Sequence, residues 1–295
     1  MGRAAAAASG ATTAVDRLLR AAAERLGARA GDTATARLEA ELLLAHVLGT
    51  DRARLLLGPP VGDGAASAFE ALVAERIASG RPVAYVTGRR AFHDIVLRVD
   101  ARVLVPRPES ELLVDLALEL LGTGRVPPGP VVDRGTGSAC LALCLCRLRP
   151  VLALDIDAGA MEVAAVNVAE QAAGGRVLLV RADGLGCLGP ASAALIVANP
   201  PYVEADEFER LPEDVRRHEP RGALVPSEGT VTAMYARLLD EGRSVLRAGG
   251  WLITEVGAGQ ALTVAGMARA RGYLHANVRP DLAGIGRVVA ACRGP

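Results

Sequence analysis

The chain has 295 residues, of which 51% are hydrophobic, so it is expected to form one full domain together with a smaller one. Its 33 basic residues balance 33 acidic residues, which argues against a protein that binds duplex nucleic acid through a net positive field. All the basic residues are arginine, and the lack of lysine excludes Schiff-base enzymes and P-loop nucleotide-binding proteins, whose chemistry needs a lysine amine.

The amino-terminal residues and the cysteines indicate a cytoplasmic protein. Residues 1–12 are rich in alanine but lack the features of a signal peptide, so we predict a disordered terminus, and no stretch reaches membrane-spanning length. The five cysteines include no Cys-x-x-Cys pair, which favours reduced thiols. Cys140 and Cys144 lie one helical turn apart with no histidine nearby in the sequence, so we predict core packing and no metal site.

Helical periodicity predicts a small domain over residues 13–82. Three stretches carry this periodicity, and each ends at a glycine suited to the left-handed conformation that closes a helix. These stretches are residues 13–27, 35–49 and 65–80. Over residues 83–107 the shorter β-like runs AYVTG, DIVLRVD and RVLVP predict a β-hairpin connector.

Residues 108–295 have the pattern of an α/β domain. After a helix over residues 109–122 and a linker rich in proline and glycine, strands that are apolar on both faces alternate with helices, which indicates a parallel sheet covered on both sides. The predicted strands are PVVD, VLALD, RVLLVRAD, AALIVAN, WLITEV and RVVAAC. Helices are predicted from Ser138, from Ala158 and over residues 259–271.

A glycine loop, DRGTGSA at residues 133–139, follows the first of these strands and precedes a helix. Gly135 and Gly137 allow the backbone to approach a ligand, and the helix N-terminus offers free N–H groups. Asp155 ends the next strand, 20 residues after Gly135, where a carboxylate can accept hydrogen bonds from both ribose hydroxyls, and Asp183 ends the third. Either acid could instead cap a helix, but their shared position at the loop's edge favours a nucleoside pocket.

The loop has the form D-x-G-x-G rather than G-x-G-x-x-G, so it resembles the S-adenosylmethionine-binding motif of Rossmann-like methyltransferases more closely than a dinucleotide motif. This resemblance implies S-adenosylmethionine as cofactor and a class I methyltransferase sheet of seven mostly parallel strands with helices on both faces. The residues to which it assigns cofactor binding are Asp133, Gly135, Thr136, Gly137, Ser138, Ala139, Asp155, Asp183, Gly184 and Asn199.

The stretch NPPY follows the fourth strand and resembles the signature of amino-methyltransferases, which act on the planar NH2 group of adenine, cytosine or glutamine. The side-chain oxygen of Asn199 and the carbonyl of Pro200 could each accept one N–H and so orient the nitrogen. Proline suits this stretch because it has no N–H and fixes φ, and Tyr202 could stack on the substrate. Catalysis and substrate binding are therefore assigned to Asn199, Pro200, Pro201 and Tyr202.

Four further segments resemble the bacterial release-factor glutamine N5-methyltransferases, and the likeness covers about residues 37–293. The segments are RPVAYVTG, AFHDIVLRVDARVLVPRPESE, HEPRGAL and DLAGIGRVV. The resemblance implies methylation of the glutamine in the Gly-Gly-Gln loop of peptide-chain release factors. It also implies a helical domain that helps to grip the release factor and a hairpin that joins it to the catalytic domain. We expect a monomer that binds neither nucleic acid nor membrane directly.

The run PSEGTVTA at residues 226–233 departs from a Gly-Asp-Gly-Leu-like run of the family pattern, and three single positions depart as well. Arg134 stands where an apolar residue is usual, Ala139 replaces a third glycine, and Gly184 replaces a bulky residue. Each change could loosen cofactor binding. Arg134 and Ala139 suggest a binding module without turnover as one alternative function, although the retained stretch from Asn199 to Tyr202 argues for activity. A DNA adenine-N6 methyltransferase is another, since it would share the NPPY stretch, although the neutral net charge and the lack of a further recognition domain argue against it.

Overall fold

The computed structural model of the chain describes residues 14–30, 33–55, 57–227 and 229–294. The chain divides into two compact units between Thr87 and Gly88, and we call them the helical unit and the sheet unit. This division differs from the predicted separate connector over residues 83–107, which the structure splits between the units. The predicted disordered terminus, residues 1–12, lies outside the described residues. Among the described residues no helix combines the length and the apolar character that crossing a membrane requires.

The helical unit is built from helices that share one apolar core. Its helices are α1 (Ala14–Ala30), α2 (Thr33–Leu48), α3 (Arg52–Leu55), α4 (Asp63–Ser79) and α5 (Val83–Thr87). Leu43 and Phe69 are completely buried in this core. Arg76 of α4 is 4% exposed and donates hydrogen bonds of 3.2 and 2.7 Å to the two carboxylate oxygens of Glu39 in α2. This pair ties two helices together, since removing one partner would leave a buried charge.

Two of the predicted helix ends in this unit are confirmed and one is wrong. Gly49 and Gly80 have φ values of 61° and 68° and stand directly after α2 and α4, as predicted. Gly27 lies inside α1, which continues to Ala30, so the first helix is longer than its glycine suggested.

The AYVTG run was predicted to be β-like, and this prediction was wrong. It falls in α5, because the carbonyl oxygen of Pro82 accepts the N–H groups of Tyr85 at 2.9 Å and Val86 at 3.1 Å. Val83 packs into the helical core, so apolar burial adds to these helical bonds.

The predicted hairpin is present at the start of the sheet unit. Strands β1 (Arg89–Phe92) and β2 (Ile95–Arg98) pair antiparallel. The RVLVP run at residues 102–106 does not form a strand, contrary to prediction. Its backbone is held by a side chain instead, since the N–H of Val105 donates to the buried Glu219 carboxylate at 3.4 Å.

The main sheet confirms the predicted mostly parallel, seven-stranded architecture. Its strands are β3 (Val131–Arg134), β4 (Val151–Asp155), β5 (Val177–Arg181), β6 (Ala193–Ala198), β7 (Leu246–Glu255), β8 (Tyr273–Pro280) and β9 (Gly286–Arg293). The order is β5-β4-β3-β6-β7-β9-β8, and β9 alone runs in the opposite direction to the other six strands. Every residue of β6 is buried, which explains why its sequence is apolar without alternation. Strand β8 was not predicted from the sequence.

Helices cover both faces of this sheet. The sheet-unit helices are α6 (Glu111–Gly122), α7 (Cys140–Leu145), α8 (Ala158–Glu170), α9 (Glu213–His218), α10 (Val231–Val245) and α11 (Ala261–Ala270). Helices α10 and α11 share one apolar cluster with alternate residues of the central strands, including Val132, Ile196 and Leu252. Helix α7 lies on the opposite face, because its Ala142 N–H bonds to Asp133, the neighbour of Val132 on β3.

The strand order places a crevice at the centre of the sheet. From β3 the chain proceeds to β4 and β5 on one side and then returns to β6 and β7 on the other. Ligands of open α/β sheets bind at such a switch point, beyond the carboxyl ends of the strands. Arg134, the last residue of β3, pairs in register with Leu154 and Ala198. The segments that begin at Gly135, Asp155 and Asn199 therefore emerge side by side.

Candidate functional site

The predicted cofactor loop follows β3 and has three residues in the left-handed region. Gly135, Gly137 and Ala139 have φ values of 75°, 53° and 64°. A side chain added at either glycine would meet nothing within 4 Å, so the loop faces open space. Ala139 is buried, and its conformation costs about 1 kcal/mol that glycine would not incur. Because of this turn the helix begins at Cys140, not at Ser138 as predicted.

Asp133 supports the loop from inside the protein. Its carboxylate is completely buried, and Oδ2 accepts hydrogen bonds from Thr136 Oγ1 at 2.6 Å and from the Ala142 N–H at 3.1 Å. Burial raises the pKa of Asp133 to about 7, and its Oδ1 has no hydrogen-bond partner among the described residues. Asp133 thus holds the loop to α7, and a direct contact with the cofactor stays a prediction.

Asp155 stands at the end of β4 and touches the loop directly. Its Oδ2 accepts the Gly137 N–H at 2.9 Å, and its Oδ1 accepts the Asp157 N–H at 3.0 Å. Each carboxylate oxygen has a second lone pair, so acceptor capacity remains for a ligand hydroxyl. The next residue, Ile156, exposes 58% of its surface beside this carboxylate. The exposed Ile156 side chain offers an apolar surface to a flat ring beside a carboxylate suited to a ribose. Sequence analysis did not identify this residue.

Asp183 and Gly184 lie in the loop after β5, which ends two residues before Asp183. The carboxylate of Asp183 accepts hydrogen bonds of 3.1 and 3.2 Å from Arg237 of α10. Glu241 accepts the Leu185 N–H at 2.7 Å, and its Oε2 lies 2.6 Å from the place where a side chain on Gly184 would begin. Gly184 also has a φ of 73°, a conformation that favours glycine, so any larger residue here would be strained and would displace Glu241.

Arg134 projects from the end of β3 toward the face covered by α10. It forms no side-chain hydrogen bond or ion pair with the described residues, and its Nε is buried without a partner. Burial lowers the pKa of Arg134, and the nearby acids Glu241 and Asp183 are themselves paired with Arg237. Burial of a guanidinium that forms no hydrogen bond and shares its acids with another arginine costs stability.

We therefore expect Arg134→Leu to raise the free energy of unfolding by about 1 to 3 kcal/mol, because leucine would extend the adjacent apolar cluster without a desolvated charge. Urea unfolding followed by the fluorescence of Trp251, the one tryptophan of the chain, measures this in the sheet unit. Arg125→Leu, at an exposed position, is the matched control and should change stability by less than about 0.5 kcal/mol. A loss of stability in the Arg134 variant would contradict the interpretation that this buried arginine destabilises the folded protein.

The NPPY stretch begins directly after β6. Asn199 donates from Nδ2 to Ser110 Oγ at 2.9 Å, while its Oδ1 accepts no hydrogen bond from the described part of the chain. Pro200 is buried and Tyr202 is partly buried. The Tyr202 hydroxyl donates to Glu255 at 3.1 Å, so its ring orientation is fixed, and stacking on a substrate stays a prediction.

Sequence analysis missed the residues that hold this stretch. Ser110 and Glu255 are 2% and 1% exposed and lie directly behind Asn199 and Tyr202. Glu219, 5% exposed, bonds to Arg107 at 2.7 Å and so anchors the segment that carries Ser110. The available signal was the position of Ser110 and Glu219 inside the family-like segments PRPESE and HEPRGAL.

Asn167 of α8 is a further missed residue, and it links the hairpin to the cofactor loop. Its Oδ1 accepts the Arg98 N–H at 2.7 Å, and its Nδ2 donates to the carbonyl oxygens of Arg98 at 3.0 Å and Ser138 at 2.9 Å. No sequence pattern distinguishes this asparagine from a surface residue of an amphipathic helix.

These positions together fit an S-adenosyl group. The glycine loop leaves space for a ligand, and the Asp155 carboxylate has acceptor capacity for the hydroxyls of a sugar. Ile156 exposes an apolar surface beside this carboxylate. Asn199 lies at the end of the strand adjacent to the loop. The structure thus brings together Asp155, the glycine loop and Asn199, while Asp183 and Arg134 belong to the side that faces α10.

One cluster outside this site has metal-ligand chemistry. Ligand-type atoms of His93, Asp94 and Cys144 lie within 4.8 Å of one another. His93 bonds to Asp94 at 3.2 Å and to Asp115 at 3.4 Å, and Asp94 also pairs with Arg147. Burial raises the pKa of the Cys144 thiol to about 12, which disfavours the thiolate form in the absence of a metal. Ion pairing accounts for the cluster, and the absence of a metal site stays a prediction.

A cleft of about 480 Å³ lies at the opposite edge of the sheet from the NPPY stretch. It is lined by residues that precede the parallel strands or end β9, among them Pro190, Arg271 and Arg293. Because it contains neither the glycine loop nor Asn199, we do not place the site there.

Comparison with known proteins gives similarity over most of the chain. A family model described as the PrmC N-terminal domain matches residues 17–88, and one described as ribosomal protein L11 methyltransferase (PrmA) matches residues 114–246. The release factor glutamine methyltransferase of Cereibacter sphaeroides is 40% identical over 92% of this chain and 96% of its own length. That of Nitratidesulfovibrio vulgaris is 38% identical over 94% of each chain.

Solved structures share the fold at lower identity. The catalytic domain of hMettl16 in complex with a MAT2A 3'UTR hairpin aligns over 78% of this chain and 81% of its own, with a TM-score of 0.54 and 15% identity. A methyltransferase from Pyrococcus furiosus aligns over 77% of this chain and 98% of its own, with a TM-score of 0.51 and 17% identity. At these identities the likeness concerns the fold alone.

Proposed function

The chain belongs to the release factor glutamine methyltransferase family, and from this premise we propose that it methylates the side-chain amide nitrogen, N5, of the glutamine in the Gly-Gly-Gln motif of peptide-chain release factors. The observation that carries the proposal is the position of Asn199. Its side-chain oxygen has no partner among the described residues, and it follows the strand adjacent to the glycine loop. An acceptor for an amide N–H therefore lies next to the place suited to the methyl donor.

The methyl donor is S-adenosylmethionine, which when bound supplies an electrophilic methyl group on a sulfonium. In our proposal Gly135 and Gly137 leave room for it, the Asp155 carboxylate accepts hydrogen bonds from its ribose, and Ile156 covers its base. Asp133 keeps the loop in shape by holding Thr136 and the start of α7.

The NPPY stretch orients the substrate nitrogen. An amide nitrogen is a weak nucleophile because its lone pair is delocalised into the carbonyl group. In our proposal Asn199 Oδ1 and the Pro200 carbonyl oxygen each accept one N–H, which fixes the nitrogen in the geometry of attack. Both prolines lack an N–H, so none competes for these acceptors, and their fixed φ limits movement. No strong base is needed, since the nitrogen becomes acidic once methylated.

The test is methyl transfer from labelled S-adenosylmethionine to a purified release factor. We expect label on the Gly-Gly-Gln glutamine, located by mass spectrometry of the digested product, and none when that glutamine is replaced by glutamate, which has no amide nitrogen. An adenine-containing duplex DNA is included as a second substrate. Label on the DNA, or on the substituted release factor, would exclude the proposed substrate.

We propose further that the helical unit contacts the release factor and that the enzyme acts as a cytoplasmic monomer without direct nucleic-acid contact. The first point rests on the family resemblance, which implies that the helical domain helps to grip the release factor, and the balance of 33 basic and 33 acidic residues supports the last. Hydrogen exchange on the whole protein should show protection in α1 to α4 when the release factor is added. Protection confined to the sheet unit would contradict a recognition role, and light scattering gives the oligomeric state.

A further inference from the structure

A buried relay of hydrogen bonds stands behind Asn199. Its Nδ2 donates to Ser110 Oγ at 2.9 Å, and Ser110 Oγ donates to Glu255 Oε2 at 2.5 Å. The other carboxylate oxygen, Oε1, accepts the Tyr202 hydroxyl at 3.1 Å. Two residues of the NPPY stretch therefore depend on one carboxylate that reaches Asn199 through a serine.

The proton count of this relay gives it a direction. Burial raises the pKa of Glu255, against the lowering effect of the Ser110 and Tyr202 hydroxyls that donate to its carboxylate. In the ionised form that these two hydroxyls favour, the carboxylate only accepts, and a serine hydroxyl has one proton to donate. With that proton directed to Glu255, Ser110 can only accept from its other neighbour, which must be the NH2 group of Asn199. Turning the Asn199 amide over would place its oxygen against an acceptor and leave both groups unsatisfied. The relay thus keeps the oxygen of the Asn199 amide facing away from Ser110.

We propose that Ser110 and Glu255 are positioning residues that keep Asn199 Oδ1 directed to the substrate amide, an inference that rests on the proposed methyltransferase function. Glu255 is well placed for this task because it ends β7, whose Thr254 pairs in register with Ala198, the residue before Asn199. The two strand ends therefore bring the carboxylate and the asparagine together independently of any ligand.

Other contacts hold the relay rigid. The Tyr235 hydroxyl donates to the backbone oxygen of Glu255 at 3.1 Å. Gln260 donates to the Tyr202 carbonyl oxygen at 3.0 Å and accepts the Gly257 N–H at 3.0 Å, so it connects the chain after β7 to the NPPY stretch. Every hydrogen-bonding atom of the Glu255 carboxylate and carbonyl has a partner, which a buried polar network needs in order to be stable.

Ser110→Ala separates orientation from binding. Without the hydroxyl the Asn199 amide loses its directional bias, so we expect kcat to fall about tenfold while KM for the release factor and Kd for S-adenosylhomocysteine change less than about twofold. Ser110→Thr, which keeps the hydroxyl, should recover most of kcat. Ser244→Ala, at an exposed position at the end of α10, is the matched control and should leave kcat unchanged.

Glu255→Gln tests the direction of the relay. The hydroxyls of Ser110 and Tyr202 both donate to the Glu255 carboxylate, but a glutamine amide has only one acceptor oxygen and a donor NH2 group. One of the two hydroxyls must therefore accept instead of donating, and we expect kcat to fall at least about tenfold. The combination of Ser110→Ala with Glu255→Gln should be no more than about twofold worse than Ser110→Ala alone, because both changes interrupt one path. Neither change should alter kcat further when Asn199 is already alanine.

The outcomes separate this inference from the proposed function. A wild-type protein that does not methylate the release factor would refute the function itself. An active wild type whose kcat is unchanged by Ser110→Ala would overturn the positioning role. Two further results would also overturn the positioning role. One is a double variant in which the two losses of kcat multiply, and the other is a Ser110→Ala variant whose affinity for S-adenosylhomocysteine falls in proportion to kcat. A purely structural role predicts both results.

Discussion

Asn199→Ala is expected to lower kcat for methyl transfer about 100- to 1,000-fold, the loss seen when one preorganised polar group is removed from a catalytic site. The reason is geometric, because the variant retains the Pro200 carbonyl but has no side-chain acceptor for the second N–H of the substrate. The affinity for S-adenosylhomocysteine, measured by calorimetry, should change by less than about tenfold. This contact with the cofactor is the weaker of the two roles we assign to the side chain.

Asn277→Ala provides the matched control for this variant. Asn277 is an exposed residue of β8, so its loss should leave both kcat and affinity unchanged. Retention of more than about a third of kcat in the Asn199 variant would show that the backbone alone orients the amide. The proposed role of the side chain would then be wrong.

Asp155→Ala is expected to weaken binding of S-adenosylhomocysteine about 100-fold, because two charge-assisted hydrogen bonds to ribose hydroxyls would be lost. The Gly137 N–H would lose its 2.9 Å acceptor as well, so the loop would be less well held. Isothermal titration calorimetry with the product measures this directly, without turnover.

Asp157→Ala separates ligand contact from local folding. Asp157 caps α8 by accepting the Ala160 N–H at 2.8 Å, so its loss should cost about 1 kcal/mol of stability and leave the affinity nearly unchanged. An equal loss of affinity in both variants would assign the effect to the shape of this segment and not to a ribose contact at Asp155.

The three single-residue departures from the family pattern have different structural consequences. Ala139 adopts a left-handed turn, and its cost is a small backbone strain inside the protein. Gly184 has a φ of 73° and lies against Glu241 of α10, so glycine suits both the backbone and the packing there. The Arg134 side chain forms no hydrogen bond with the described residues, and the nearby acids, Glu241 and Asp183, are already paired with Arg237. The sequence alone treats all three as possible losses of cofactor binding.

Several features were predictable because they depend on near neighbours in the chain. Apolar runs without alternation predicted buried parallel strands, and glycines at fixed offsets predicted the loop after β3. The NPPY stretch predicted the place of Asn199, because a strand end followed by proline has few conformations available. Errors occurred where local pattern and packing disagree, as at AYVTG, which has β-like composition and yet forms α5 against the helical core.

The sequence by itself determined the class of fold, the glycine loop, the acid at the end of β4 and the NPPY stretch, since each depends on a few consecutive residues with strong backbone preferences. Only the tertiary structure decided what surrounds them. Ser110 lies 89 positions before the asparagine it orients, and Glu255 lies 145 positions after Ser110. Strand order and helix packing bring these partners together. A hydrogen bond depends on distance in space, so the sequence around either residue does not reveal it.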